Sequence, residues 1–348
     1  MPSILIYAPD IWEGDAVGDH CINLEKVLED ANYNCKLYAQ RGSENVYSAE
    51  NLFSDITTSD IIFLSYSIFD PNLELIAALP NKKICYFHGV TPFELLLDFD
   101  PITADLCKKS IGQFHILEQF DLILSNSINS SKTLGDFFKK RKKILSIPPV
   151  IKSKFYGNDP LEKKLSNKAT LNLVSIGRIV PHKRIEDSIY ILRGLIHKGV
   201  NAKLRIIGKF DDNLYTNFLT NLVKSLNLYK DVEFLGFLSD DKKISVITNS
   251  DFLISTSLHE GFGIPILEAM CLGIPFLTSK GAISEEIVKN FPTSFSSIIE
   301  AVDILCELFL DKNKILSLIK LGHQRADHIL SSSDDEVYIN IFNSFLKG

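Results

Sequence analysis

The chain has 348 residues, 23% of them charged, and a formal net charge of −6. That length accommodates two domains, each with a core of its own, while the mild acidity excludes general nucleic-acid binding. No apolar run approaches the roughly 18 residues of a transmembrane helix, and the six cysteines form no Cys-x-x-Cys pair. They fit reduced core residues in a cytoplasmic protein better than a zinc site or a disulfide framework.

In the first half, short apolar runs alternate with amphipathic segments. Ile4–Ala8 reads as a first buried strand, not a signal peptide. Glu13-Gly14-Asp15-Ala16-Val17-Gly18-Asp19-His20 follows as a loop, and Cys21–Asn32 has helical spacing. Cys35–Ala39, Asp60–Ser65, Lys83–His88, Asp121–Ser125 and Lys143–Ile147 are the next strands. Strands separated by helix-sized segments imply a parallel, doubly wound sheet with its ligand edge at the strand C-termini. His88 ends one such strand, beside Gly89. Asp98-Phe99-Asp100 spells a metal-binding triplet, yet lies between Leu95-Leu96-Leu97 and Pro101 in an expected loop, and is read as a coincidence. Lys139-Lys140-Arg141-Lys142-Lys143 lies next to Phe137 and Phe138. It is either a solvated helix end or a contact with an anionic membrane surface, where each basic residue contributes about 1 kcal/mol.

Ile147-Pro148-Pro149-Val150 closes the first half, and the polar stretch Tyr156–Lys168 reads as a linker. A new strand, Leu171–Ile176, runs into Gly177-Arg178-Ile179-Val180-Pro181-His182-Lys183. Two cations on a loop entering a helix can flank a diphosphate. Lys203–Gly208 and Asp231–Phe237 are strands whose glycine-containing ends suit close approach to a nucleotide. The strand Asp251–Ser257 then leads into Glu260-Gly261-Phe262-Gly263-Ile264-Pro265-Ile266-Leu267-Glu268. Pro265 lies near the first helical position, and Gly273 and Pro275 end the helix. Glycines beside the amides of a helix N-terminus suit an anion. Glu260 falls in the loop and Glu268 in the helix, placed to grip two parts of one ligand rather than to act as an adjacent acid pair. Three helices follow: Ile298–Leu310, Lys314–Leu330 and Asp334–Leu346.

Two of these motifs carry a family likeness. Glu260, seven residues, Glu268, together with Gly177-Arg178, four residues, Lys183, resembles the signature of retaining glycosyltransferases of the GT-B fold, family 4. The resemblance implies an α/β chain of two Rossmann-like, doubly wound domains facing a cleft. Residues 1–155 would form the acceptor-side domain, with residues 334–348 packing back on it, and 156–333 would form the nucleotide-sugar domain. The implied reaction moves a hexose from a UDP- or GDP-linked donor, with anomeric configuration kept. Its acceptor is a hydroxyl of a glycan or lipid-linked molecule, in cell-surface polysaccharide synthesis.

No cofactor or metal is expected. Arg178 and Lys183 would stabilise the leaving diphosphate, Glu260 would fix the sugar, Glu268 would take the ribose hydroxyls, and His88 would face the transferred sugar. Gly177, Gly208, Phe237, Gly261, Phe262, Gly263 and Ile264 would complete the donor site. Gly14, Asp15 and Ala16 are loop or acceptor candidates, although the family's glycine-rich loop is only partly kept there. Location at the inner face of a membrane would follow if the basic run contacts lipid. A GT-B epimerase or hydrolase, and a non-catalytic nucleotide-sugar-binding subunit, are the alternatives.

Overall fold

The computed structural model describes residues 2–140, 142–151, 169–210, 213–281, 283, 285–289 and 291–347. The linker expected at Tyr156–Lys168 therefore lies outside the described residues, as does Arg141. The chain divides into two compact units. The first comprises Met1–Pro92, Asp105–Ser153 and Ile329–Gly348, and the second comprises Phe93–Ala104 and Lys154–His328.

Chain order in the first stretch runs β1 (Ser3–Ile11), α1 (Ala16–Asp30), β2 (Asn34–Gly42), β3 (Tyr47–Ser48), α2 (Ala49–Asp55), β4 (Ile61–Tyr66), α3 (Leu73–Ala78) and β5 (Lys82–Phe87). Then come α4 (Pro101–Leu117), β6 (Leu122–Ser125), α5 (Ile128–Gly135) and β7 (Ile144–Ser146). The seven strands form one sheet in the order β3-β2-β1-β4-β5-β6-β7, and every pairing is parallel. Parallel strands are covered on both faces, which is why β4 reads Ile-Ile-Phe-Leu-Ser-Tyr and is buried throughout. One face packs α1 through Cys21, Leu24 and Leu28. The other packs Leu73, Ile76, Phe114 and Leu117.

In the second stretch β8 (Leu171–Ile176), α6 (Ile185–His197), β9 (Ala202–Ile207), α7 (Leu214–Ser225), β10 (Val232–Gly236) and α8 (Asp240–Thr248) come first. They are followed by β11 (Phe252–Ser255), α9 (Ile264–Cys271), β12 (Phe276–Ser279), α10 (Glu285–Val288) and β13 (Ser294–Phe295). The sheet order is β10-β9-β8-β11-β12-β13, again parallel throughout. The chain closes with α11 (Ile298–Leu310), α12 (Lys312–Ser331) and α13 (Asp335–Lys347). In both sheets strand order reverses beside the first strand, between β1 and β4 and between β8 and β11. Such a switch point opens a crevice at the strand C-termini.

One expectation needs correcting, and two local features stand beside it. The first helix begins at Ala16, five residues before Cys21, because Asp15 caps it: the Val17 amide donates to its Oδ2 at 3.1 Å. Asp100 of the Asp-x-Asp triplet likewise serves the backbone, accepting from the Thr103 amide at 3.0 Å at the start of α4. Phe99 packs edge-on against Tyr215, with centroids 5.1 Å apart, inside the second unit. Arg184, a non-glycine residue, sits in the left-handed region at φ 51° between Lys183 and α6. Its guanidinium holds Asp187 through bonds of 3.0 and 2.9 Å.

Helix α13 belongs to the first unit. Tyr338 and Phe342 are fully buried in its core, Phe342 against Phe63 at 5.9 Å, and the Tyr338 hydroxyl donates to the Pro148 carbonyl at 2.6 Å. Truncating Phe342 leaves a cavity that a packed sheet face refills only in part. Phe342→Ala should lower the unfolding free energy of the first unit by about 3–5 kcal/mol, read from urea denaturation followed by circular dichroism.

Candidate active site at the switch point of the second sheet

The two sequence motifs are the two loops that flank the β8/β11 switch point. Backbone bonds first fix the loop ends: the Gly177 amide donates to the Ile207 carbonyl and the Gly208 amide to the Gly236 carbonyl, both at 3.0 Å. This lacing brings backbones so close that a Cβ on Gly208 would lie 1.9 Å from the Gly177 carbonyl oxygen. Gly208 is thus required by the packing of adjacent strand ends, and Phe237 just beyond is 62% exposed.

The loops are then clamped to each other. Leu258 donates its amide to the His182 carbonyl at 2.8 Å. The Thr256 hydroxyl lies 3.0 Å from the Lys183 carbonyl and 2.7 Å from that of Arg184. Across this clamp the Lys183 ammonium meets both carboxylate oxygens of Glu260, at 2.6 and 2.7 Å. The Ser257 hydroxyl donates to the same carboxylate at 2.6 Å. The pair is largely withdrawn from solvent, with side-chain exposures of 13% and 12%.

Gly263 ends the loop at φ 108°, where a side chain would be strained, and caps α9. Ile264 opens that helix, and Phe262 is buried at the turn. Glu268 is one turn on, almost fully buried. Its Oε1 accepts from Lys243 of α8 at 2.7 Å. His182 and His259 flank the ion pair. Burial, with the Lys183 and Arg178 charges nearby, pushes the His182 imidazole down to about 2, and its Nδ1 has no partner among the described residues. Burial also lowers His259.

At the corresponding edge of the first sheet, His88 follows β5. Its Nε2 lies 2.7 Å from the Ser65 hydroxyl, and the Asn126 side chain donates to its carbonyl at 2.7 Å. The other ring nitrogen has no partner among the described residues. His20 of α1 stands behind it, with ring centroids 5.3 Å apart. That ring stacks on Tyr86 at 4.2 Å and accepts at Nδ1 from the Val150 amide at 3.1 Å. Of the loop candidates, Asp15 caps α1, Ala16 starts it, and the Gly14 amide donates to Asp19 at 2.9 Å.

The second-unit candidates Gly177, Arg178, Lys183, Gly208, Phe237, Glu260, Gly261, Phe262, Gly263, Ile264 and Glu268 thus lie at the C-terminal edge of one sheet or on α9. His88, Gly14, Asp15 and Ala16 belong to the first unit. Sequence reasoning missed Lys243, which stood in an unremarkable charged run at a helix start. It also missed Ser257, Ser65 and His20, small or isolated residues whose partners are distant in the chain.

The basic run is only partly outward. Lys139, Lys140 and Lys143 are exposed, and the first two donate their amides to Glu118. Lys142 turns inward, its ammonium on the carbonyls of Glu118 and Phe120. No described helix is long and apolar enough to cross a membrane.

Residues 158–308 match the family model described as Glycosyl transferases group 1. The chain is 26% identical over 243 residues to a GDP-Man:Man(3)GlcNAc(2)-PP-Dol alpha-1,2-mannosyltransferase of Dictyostelium discoideum, a match covering 65% of this chain and 46% of the other. It is 28% identical over 199 residues to the capsular polysaccharide biosynthesis glycosyltransferase CapM of Staphylococcus aureus, covering 55% and 51%. The chain thus spans about half the length of the curated relatives it matches. Among solved structures, HepE of Anabaena in complex with UDP and glucose superposes with a TM-score of 0.74 at 15% identity, over 99% of each chain. Two parallel-sheet α/β units with such neighbours define the GT-B fold.

Burial pushes His88 down to about 3 and His20 well below the usual histidine value. An unfolded histidine takes up its proton near pH 6.5, so the unfolded chain protonates first. Each imidazole's stabilising contribution is therefore full above pH ~6.5 and is lost as pH falls toward its folded value. The expected loss is on the order of 1 kcal/mol per pH unit for each histidine. Urea midpoints should fall between pH 6.5 and 5, and more shallowly in His88→Gln than in the native chain.

Proposed function

We propose that this protein is a retaining glycosyltransferase. It would move a hexose from a UDP- or GDP-linked sugar to a hydroxyl of a glycan or lipid-linked acceptor in the synthesis of a cell-surface polysaccharide. The observation that carries this reading is the Lys183–Glu260 pair bridging the two loops of the β8/β11 switch point, with Arg178 on one loop and the N-terminus of α9 on the other. The similarity to the mannosyltransferase and to CapM supports the reaction class.

Departure of a diphosphate builds negative charge on its bridging oxygen, and fixed cations lower that barrier most where water is excluded. Arg178 and Lys183 take that role. Glu260, turned by Ser257, accepts from hydroxyls of the transferred sugar and sets the ring relative to the diphosphate. Glu268 accepts from the ribose hydroxyls. His88 hydrogen-bonds a sugar hydroxyl through the nitrogen that Ser65 leaves unused. The bond between the anomeric carbon and the diphosphate breaks, the acceptor oxygen bonds to that carbon on the same face, and its proton passes to the departing phosphate. Two cations supply the charge, so the reading expects turnover without a divalent metal. The exposed cations Lys139, Lys140 and Lys143, beside Phe137, fit contact with an anionic membrane surface carrying such an acceptor, in a cytoplasmic enzyme.

Lys183→Ala and Glu260→Ala should each lower kcat by about a hundred- to a thousandfold, the order seen when one transition-state-stabilising group is removed, with the circular dichroism spectrum kept. Activity at native level in either variant overturns the assignment. Transfer should persist in EDTA; a requirement for added Mg²⁺ or Mn²⁺ overturns the metal-independent part. Donor consumption at the same rate without any acceptor favours a hydrolase or epimerase instead.

A further inference from the structure

Helix α8 is not part of either signature, yet it places a cation against the most buried acid of the site. Lys243 Nζ lies 2.7 Å from Glu268 Oε1, with side-chain exposures of 19% and 6%. Asp240, one turn earlier on α8, approaches the same ammonium at 3.8 Å. The Lys243 amide donates to the Ser239 carbonyl at 2.8 Å, so the lysine sits in the regular first turns of its helix. The ammonium is therefore fixed from two sides, directly beside the carboxylate that the proposed function assigns to the ribose.

We infer that Lys243 is a specificity-determining residue of the nucleotide site: with Glu268 it forms a paired acceptor and donor that recognises the vicinal ribose diol. The inference rests on the reading of Glu268 given above. A carboxylate only accepts, an ammonium only donates, and a hydroxyl does both. One ribose hydroxyl can donate to Glu268 while it, or its neighbour, accepts from Lys243. Because Nζ already bonds the carboxylate oxygen, a hydroxyl seated on that oxygen on the ammonium's side can be shared by both groups. The ligand class this pair selects is a ribonucleoside diphosphate over its 2′-deoxy counterpart. A site built around a substrate hydroxyl disfavours the analogue lacking it, because the buried charged groups are then left short of a partner.

The test is a cycle between ligand and protein. UDP, GDP and their 2′-deoxy forms are titrated calorimetrically, with EDTA, into the native chain and into Lys243→Met, Lys243→Gln, Lys243→Arg and Glu268→Ala. The native chain should bind one ribonucleotide at least about tenfold tighter than its deoxy form, the worth of one charged hydrogen bond. In Lys243→Met and Lys243→Gln the ribonucleotide should weaken about tenfold, the deoxy form should stay as it was, and the ratio should collapse. Lys243→Arg should restore part of it.

Equal weakening of both ligands would assign Lys243 a merely structural part and overturn the inference, as would unchanged or tighter ribonucleotide binding. Glu268→Ala separates the two levels. Weakened binding there with a Lys243 variant that behaves as native removes the inference alone. Native binding in Glu268→Ala, or no nucleotide bound by the native chain, removes the reading on which it rests.

Discussion

One ion pair organises the second unit's ligand edge. The β8 and β11 loops leave the sheet on either side of the switch point, and bonds that cross it hold them in register. The Lys183–Glu260 contact is the charged one, and the Thr256 hydroxyl and the Leu258 amide reinforce it through backbone carbonyls. Each charge is half-satisfied by the other, so neither needs a full hydration shell. That matters because a lone buried charge costs several kcal/mol, whereas a paired one is tolerated. A donor that presents phosphate oxygens and sugar hydroxyls together offers each member of the pair a partner.

Much of this was legible in the chain. The two spaced signatures identified the two loops through their family resemblance; taken alone, each reads as an ordinary glycine turn or a pair of surface cations. The alternation of apolar runs with helical spacing gave both sheets. What was lost is what depends on distance in three dimensions. Lys243 is indistinguishable in sequence from Lys242, and only the folded helix turns it toward Glu268. Lys142 belongs to a run of cations that reads as uniformly solvated, yet it faces carbonyls at the end of α4. Helical spacing alone starts α1 at Cys21, because the cap at Asp15 lies before the first apolar repeat. The side chain of Asp100 accepts from the Thr103 amide at the start of α4, a local backbone role that the Asp-x-Asp spelling does not reveal.

His20 and His88 of the first unit follow the same logic as the ion pair, in neutral form. His88 spends one nitrogen on Ser65, and His20 spends one on the backbone of Val150. Burial, with the Tyr86 ring against both, holds each imidazole well below the usual histidine value.

The first unit is also closed by residues that follow the second unit in the chain. Tyr338 and Phe342 fill a face of the core laid down by β1, β4 and β5, while Phe99, from the early part of the chain, is claimed by Tyr215 and Phe218 of the second unit. During synthesis the ribosome therefore releases a first sheet whose wall beside Phe63 stays open until the whole second unit has emerged. Over that interval the nascent chain exposes an aromatic surface that a chaperone can hold and that an aggregate can exploit. The order of translation, and not the stability of either unit, sets how long that surface remains uncovered.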